Sequence, residues 1–181
     1  MQFAFALLSV FVSTVVAAPA LRRQNICPLQ NFSGLTITAS ADPSGKTRWD
    51  VFTINSELIQ EGDVAWFSDD QPNGNEIFTA AVGSQPDLFT FQRQGAQLIS
   101  VSGSTLLASG PPATFQVACS GGCNSFASGN DLVGDGCTIE LTDGTNGLGQ
   151  CVTFAAANSV VQLETCQPGS PAQQIGIFSV A

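Results

Sequence analysis

An all-β domain is what this sequence predicts, and three observations carry the prediction. Sustained helical periodicity is missing; short alternating or apolar runs rich in Val, Ile, Thr and Phe recur in its place. Between them stand turn-forming clusters such as Asp42-Pro43-Ser44-Gly45, Gln71-Pro72-Asn73-Gly74, Gly110-Pro111-Pro112 and Asp143-Gly144-Thr145-Asn146-Gly147. Six cysteines, an even number, offer disulfide reinforcement to a chain long enough to bury a core of its own. Short strands with frequent turns fit a barrel or a sandwich.

Twelve strands are predicted: Leu35–Ala39, Arg48–Ile54, Asp63–Ser68, Glu76–Val82, Leu88–Arg93, Gln97–Ser102, Thr105–Ser109, Thr114–Cys119, Cys137–Leu141, Gln150–Ala155, Val160–Thr165 and Gln174–Val180. They follow an export leader. Phe3 to Val16 is an apolar run of signal-peptide length, and Ala17-Ala18 supply the small residues of a cleavage site, giving a signal peptide over 1–17. Residues 18–23 read as a short propeptide ending in the dibasic pair Arg22-Arg23, and 24–181 as a single domain. No later segment reaches the roughly 20 apolar residues of a membrane helix, and the C-terminus carries no long apolar tail of the GPI type. A secreted protein of the extracellular space or cell wall, without a membrane anchor, is the expectation.

Charge narrows the partners. The whole chain carries −9. Cleavage after Arg23 leaves Lys46, Arg48 and Arg93 against all 14 carboxylates, a net charge of −11. So acidic a surface has no footprint for nucleic acid or anionic membrane. With no histidine there is no Ser-His-Asp or Cys-His arrangement, and secreted thiols oxidise. Cys119 and Cys123 have metal-like spacing, yet the missing histidines and the oxidising route favour disulfides among Cys27, Cys119, Cys123, Cys137, Cys151 and Cys166. Six cysteines allow fifteen connectivities, and spacing alone does not choose among them. No metal and no cofactor are expected.

Twelve strands invite a search for threefold repetition. The last third is the clearest unit: Thr138-Ile139-Glu140-Leu141, Cys151-Val152-Thr153-Phe154, Val160 to Cys166, and Gln173-Gln174-Ile175-Gly176-Ile177-Phe178. Leu98 to Val101, Thr105 to Ala108 and Phe115 to Cys119 echo it in the middle. The first third is looser, and its closing strand is open between Glu76–Val82 and Leu88–Arg93.

The last third resembles one repeat of a ricin-B-type β-trefoil, with a Cys-hydrophobic strand, a strand ending in Cys about 15 residues later, and a Gln-rich strand carrying a large apolar residue. The resemblance implies a β-trefoil-like barrel and a pairing of Cys151 with Cys166. A second stretch, Gly103, Leu106-Leu107-Ala108, Phe115, Cys119-Ser120-Gly121, Asp131-Leu132 and Cys137, is similar to the C-terminal domain of Pir-type fungal cell-wall mannoproteins. That likeness implies a secreted, wall-associated fungal protein. The Gln-containing repeat by which Pir proteins attach to glucan is absent, so covalent attachment does not carry over.

Candidate sites follow from chemistry. For carbohydrate, Trp66 beside Asp69, Asp70 and Asn73 offers an apolar face with carboxylate and amide groups, although Trp66 alternates with Val64 and Ser68 and reads more simply as core, as does Trp49. Where ricin-type lectins place an Asp after the Cys-hydrophobic pair, this chain has Thr153, and Ala108 and Ser109 occupy the matching place in the middle third. For glycoside hydrolysis, Asp69 and Asp70 with Glu76, or Asp131 and Asp135 with Glu140 and Asp143, would be the paired acids. The same Asp69 to Glu76 stretch concentrates oxygen ligands for calcium, but Gln71 and Ala80 depart from the EF-hand pattern and a solvated turn is simpler. Asn31-Phe32-Ser33 is an N-glycosylation acceptor. The expectation is a non-enzymatic wall or extracellular protein that is structural or glycan-associated. A soluble ricin-B-like lectin or carbohydrate-binding effector is the alternative, and an acidic glycosidase comes last.

Overall fold

The computed structural model describes residues 25–42, 44–53, 59–69, 73–94 and 97–180. The signal peptide, the 18–23 propeptide with Arg22 and Arg23, and Asp70 lie outside the described residues.

Among the described residues the chain forms strands and two short 3-10 turns, Leu29–Asn31 and Pro171–Gln173, with no α-helix. The strands are β1 Leu35–Ala39, β2 Thr47–Val51, β3 Val64–Ser68, β4 Phe78–Val82, β5 Leu88–Arg93, β6 Ser100–Ser102, β7 Thr105–Leu107, β8 Thr114–Cys119, β9 Leu132–Thr142, β10 Gly147–Thr153, β11 Ser159–Val160, β12 Gln162–Thr165 and β13 Ile175–Ser179. All-β architecture is therefore as the sequence predicts. β1, β5 and β8 match the expected spans residue for residue.

Pairing is antiparallel throughout and follows a closed circuit. β1 pairs β4, β4 pairs β5, β5 pairs β8, β8 pairs β9, β9 pairs β13, and β13 returns to β1. Three further hairpins stand off it: β2 with β3, β6 with β7, and β10 with β12. These hairpins also meet one another. β11 lies against β3, β12 against β7, and Asp63 bridges Leu107. Both candidate strands of the first third exist, as β4 and β5, and they pair with each other.

The other expected strands shift at one or both ends, and two of them differ more deeply. The strand expected at Cys137–Leu141 starts five residues earlier, at Leu132, because Gly134 and Gly136 act as points where the register against β13 shifts, not as breaks. Gly136 sits at φ 56°, a conformation that glycine adopts without steric cost. The strand expected at Val160–Thr165 divides at Val161, whose N–H donates to Val64 O while its own carbonyl accepts from Leu106 N–H. One residue thus serves two hairpins and belongs to neither ladder.

Alternation explains the core. In β8, Phe115, Val117 and Cys119 are buried while Thr114, Gln116 and Ala118 are half-buried, so every second side chain points inward. The centre is aromatic: Trp49 meets Trp66, Phe78 and Phe91 edge-on, with centroids 6.3, 5.7 and 5.8 Å away. Such pairs add about 0.5–1.5 kcal/mol each beyond area burial. The Trp66 indole N–H donates to Thr153 O at 3.0 Å. Gln173 is buried beside it, donating to Thr153 Oγ1 and Thr165 O and accepting from Gln167 N–H. A polar amide is thus tolerated in the interior because both its ends are satisfied.

Candidate functional site

The cysteines pair as Cys27–Cys123, Cys119–Cys137 and Cys151–Cys166. The last joins β10 to the end of β12, where the hairpin sets residues 150 and 165 opposite each other. Cys119 and Cys137 face each other directly across β8 and β9. No described helix is long and apolar enough to cross a membrane.

The turn over Asn73 to Glu76 is built by its own polar groups. Asn75 N–H donates to Asn73 Oδ1 at 2.8 Å, Glu76 N–H to Asn73 O at 3.0 Å, and Asn73 N–H to Glu76 Oε2 at 3.0 Å. Two arginines hold the turn against the strands. From β2, Arg48 donates to Asp69 O at 3.0 Å and places Nη1 3.7 Å from Glu76 Oε2. From the end of β5, Arg93 donates to Asn75 Oδ1 at 2.8 Å. Glu76 is fully buried, and its Oε1 has no hydrogen-bond partner. Burial pushes its pKa up to about 7; the Asn73 N–H and Arg48 oppose that rise, and Asp50 and Asp69 add to it. Asp50, 6 % exposed on β2, is likewise raised, first by burial and also by Asp69, while Asn73 and Arg93 oppose.

The structure therefore joins Asp69, Asn73 and Glu76, as the spacing suggests, but adds Arg48, Asp50 and Arg93. Sequence reading missed these three, although a signal was present: two of the three cations that follow residue 23 are spent here. The cluster does not suit calcium. Among the described residues no three carboxylates bring their oxygens within 4.8 Å of one another, and Arg48 already lies beside the acid. Nor does Glu76 suit attack on a polymer, since it has no exposed surface.

Trp66 is correspondingly corrected as a sugar platform. It is 0 % exposed, packed edge-on against Trp49 and Phe154, because it alternates inward with Val64 on β3. The other acids of the sequence reading are turn and strand groups. Asp143 accepts from Thr145 and Asn146 N–H, which holds its carboxyl below the ordinary range. Glu140 Oε1 accepts from Gly149 N–H at 2.9 Å across the β9–β10 hairpin. Asn31 is exposed at the end of the first 3-10 turn.

An exposed aromatic does exist, elsewhere. Phe126 is 94 % exposed on the loop between Cys123 and β9. Its N–H donates to Asn124 Oδ1, Ser128 N–H to Asp131 Oδ2, and Ser179 Oγ to Gly129 O. Disulfides anchor the loop at Cys123 and, through Cys119–Cys137, at both strands that flank it. A large apolar ring is thus held in water on a braced, amide- and carboxylate-bearing loop. No sequence period marks Phe126.

No family model matches this chain, and no curated protein shows significant similarity to it. Among solved structures, the Haemophilus ducreyi cytolethal distending toxin is similar in fold, with a TM-score of 0.50 over 91 % of this chain and 92 % of that one, at 11 % identity.

Proposed function

We propose that this chain is an exported, non-enzymatic domain of β-trefoil type that works in the cell wall or extracellular medium in association with glycan. The observation that carries the reading is Phe126, 94 % exposed on a loop that disulfides hold in place. Burying such a ring against a sugar face recovers hydrophobic free energy, and a fixed loop loses little entropy on binding. The trefoil assignment rests on the six-strand circuit and the three hairpins that meet beside it. Three disulfides and the apolar leader support export, and the exposed Asn31 sequon supports glycosylation. The fungal wall setting rests on the Pir-type resemblance. Against a hydrolase stands the full burial of Glu76, whose carboxyl that burial pushes up to about 7.

The test is retention of the secreted protein on chitin, β-glucan and mannan. Retention on one of these, lost in Phe126→Ala while stability holds, is the expected result. Equal retention of the variant would remove the loop from the proposal, and no retention on any of the three would remove the glycan role. Elution by simple sugars would favour a soluble lectin; resistance to hot detergent would favour a wall component. Polysaccharide turnover that disappears in Glu76→Gln or Asp69→Asn would overturn the non-enzymatic assignment.

A further inference from the structure

Two of the three disulfides touch. Cys27 Sγ, bonded to Cys123, lies 3.3 Å from Cys119 Sγ, which is bonded to Cys137. The sulfurs of Cys27, Cys119 and Cys137 all lie within 4.8 Å of one another. Gly134 makes the approach feasible: a Cβ there would stand 2.9 Å from the Cys119 and Cys137 sulfurs and 3.0 Å from that of Cys27. Access to the cluster is one-sided. Cys27, Cys119 and Cys137 are 0 % exposed, whereas Cys123 is only partly buried, at the root of the Phe126 loop.

We infer that this cluster is a thiol-capture site, in which a small cysteinyl thiol enters at Cys123 and an internal exchange between the two disulfides retains it. The incoming thiolate attacks Cys123 Sγ, the accessible sulfur; a mixed disulfide forms there, the Cys27–Cys123 bond breaks, and the electron pair leaves on Cys27. A thiolate in this apolar surrounding is disfavoured by desolvation. The Cys27 sulfur is already at contact distance from Cys119, so it attacks there, forming Cys27–Cys119 and expelling Cys137, which takes up the proton released by the incoming thiol. One thiol has been consumed, one has been generated, and the number of disulfide bonds is unchanged. Because Cys27 is re-bonded, it no longer competes to expel the captured thiol from Cys123. The third bridge, Cys151–Cys166, joins β10 to the end of β12 and stays outside the exchange.

Reduced glutathione is the probe, applied to the native secreted protein, with alkylation of free thiols under acid quench and peptide mapping. The expected result is glutathione on Cys123, a Cys27–Cys119 cross-linked peptide absent before treatment, and alkylated Cys137, with Cys151–Cys166 intact. Glutathione on Cys123 with alkylation at Cys27 alone would overturn the internal exchange, and absence of any adduct at Cys123 would overturn the site. The double variant Cys27→Ser/Cys123→Ser removes the entry point. Loss of Cys119–Cys137 opening in that variant supports the relay; opening as fast as in the native chain would refute it.

Discussion

The sulfur cluster around Gly134 and the charge cluster around Glu76 are both buried, yet they stabilise the fold by opposite means. At Gly134 three fully buried cysteines pack among apolar side chains, and the connections between distant segments are covalent. At Glu76 the connections are hydrogen bonds and an arginine–carboxylate approach, from β2, β5 and a turn. The bridged cysteines of the first carry no titrating group, whereas the second holds carboxyls that burial raises. A bond that removes conformations of the unfolded chain acts whatever the local dielectric. A buried carboxylate gains only what its partners return against desolvation.

The largest break in this comparison should come from the sulfur side. Cys27→Ser/Cys123→Ser opens a loop of sequence separation 96, against 15 for Cys151–Cys166. Loop-closure entropy puts the losses at about 4–5 and about 3 kcal/mol respectively. Urea midpoints of the two double variants check the order, and a greater loss at Cys151–Cys166 would show that the long bridge adds little.

On the charge side, Glu76→Ala leaves Arg48 without its acid and Asn73 N–H without its acceptor. A loss of about 3 kcal/mol is expected, by thermal or urea unfolding. Glu76→Gln mimics the protonated acid and should lose less than half as much. If Gln and Ala cost the same, the polar contacts of Glu76 contribute nothing beyond its volume.

The pH response sharpens the contrast. Folded Glu76 holds its proton to about pH 7, whereas an ordinary glutamic acid releases it near 4.5. Between those values the folded state binds more protons than the unfolded state, so stability should fall as pH rises through the window. Asp50 has the same sign. Asp42 and Asp143, both held below the ordinary range, contribute stability that is lost only as pH falls beneath it. The expected optimum is mildly acidic, and Glu76→Gln should flatten the slope. A urea midpoint that climbs from pH 4.5 to 7 in the native chain would contradict this.

The smallest effect is expected at Gly134→Ala. Its methyl group would press on three sulfurs fixed by their bonds, and overpacking of this kind costs about 1–3 kcal/mol. Unfolding curves of this variant beside Gly144→Ala, where nothing crowds the added carbon but φ is +91°, separate sulfur crowding from backbone strain.

Much of the fold was legible because strands advertise themselves by alternation and turns by their residues. Leu35–Ala39, Leu88–Arg93 and Thr114–Cys119 begin and end where the pattern does. β9 runs five residues further toward the N-terminus than the pattern indicates, and at Gly134 sulfurs from β8, β9 and the N-terminal segment converge. The grouping of Asp69, Asn73 and Glu76 was visible in the sequence, but its arginines arrive from positions 48 and 93, and no local spacing links them.

The sequence by itself determined the all-β class, the acidity, the disposition of the strands and, through resemblance, the pairing of Cys151 with Cys166. These depend on side-chain period, charge count and neighbours within one hairpin. Tertiary structure alone decided that Phe126 is surface, that Cys27 reaches Cys123, and that Glu76 is buried beside Arg48. Each of those outcomes depends on segments brought together across the strand circuit, and contacts between distant segments leave no periodic trace in the chain.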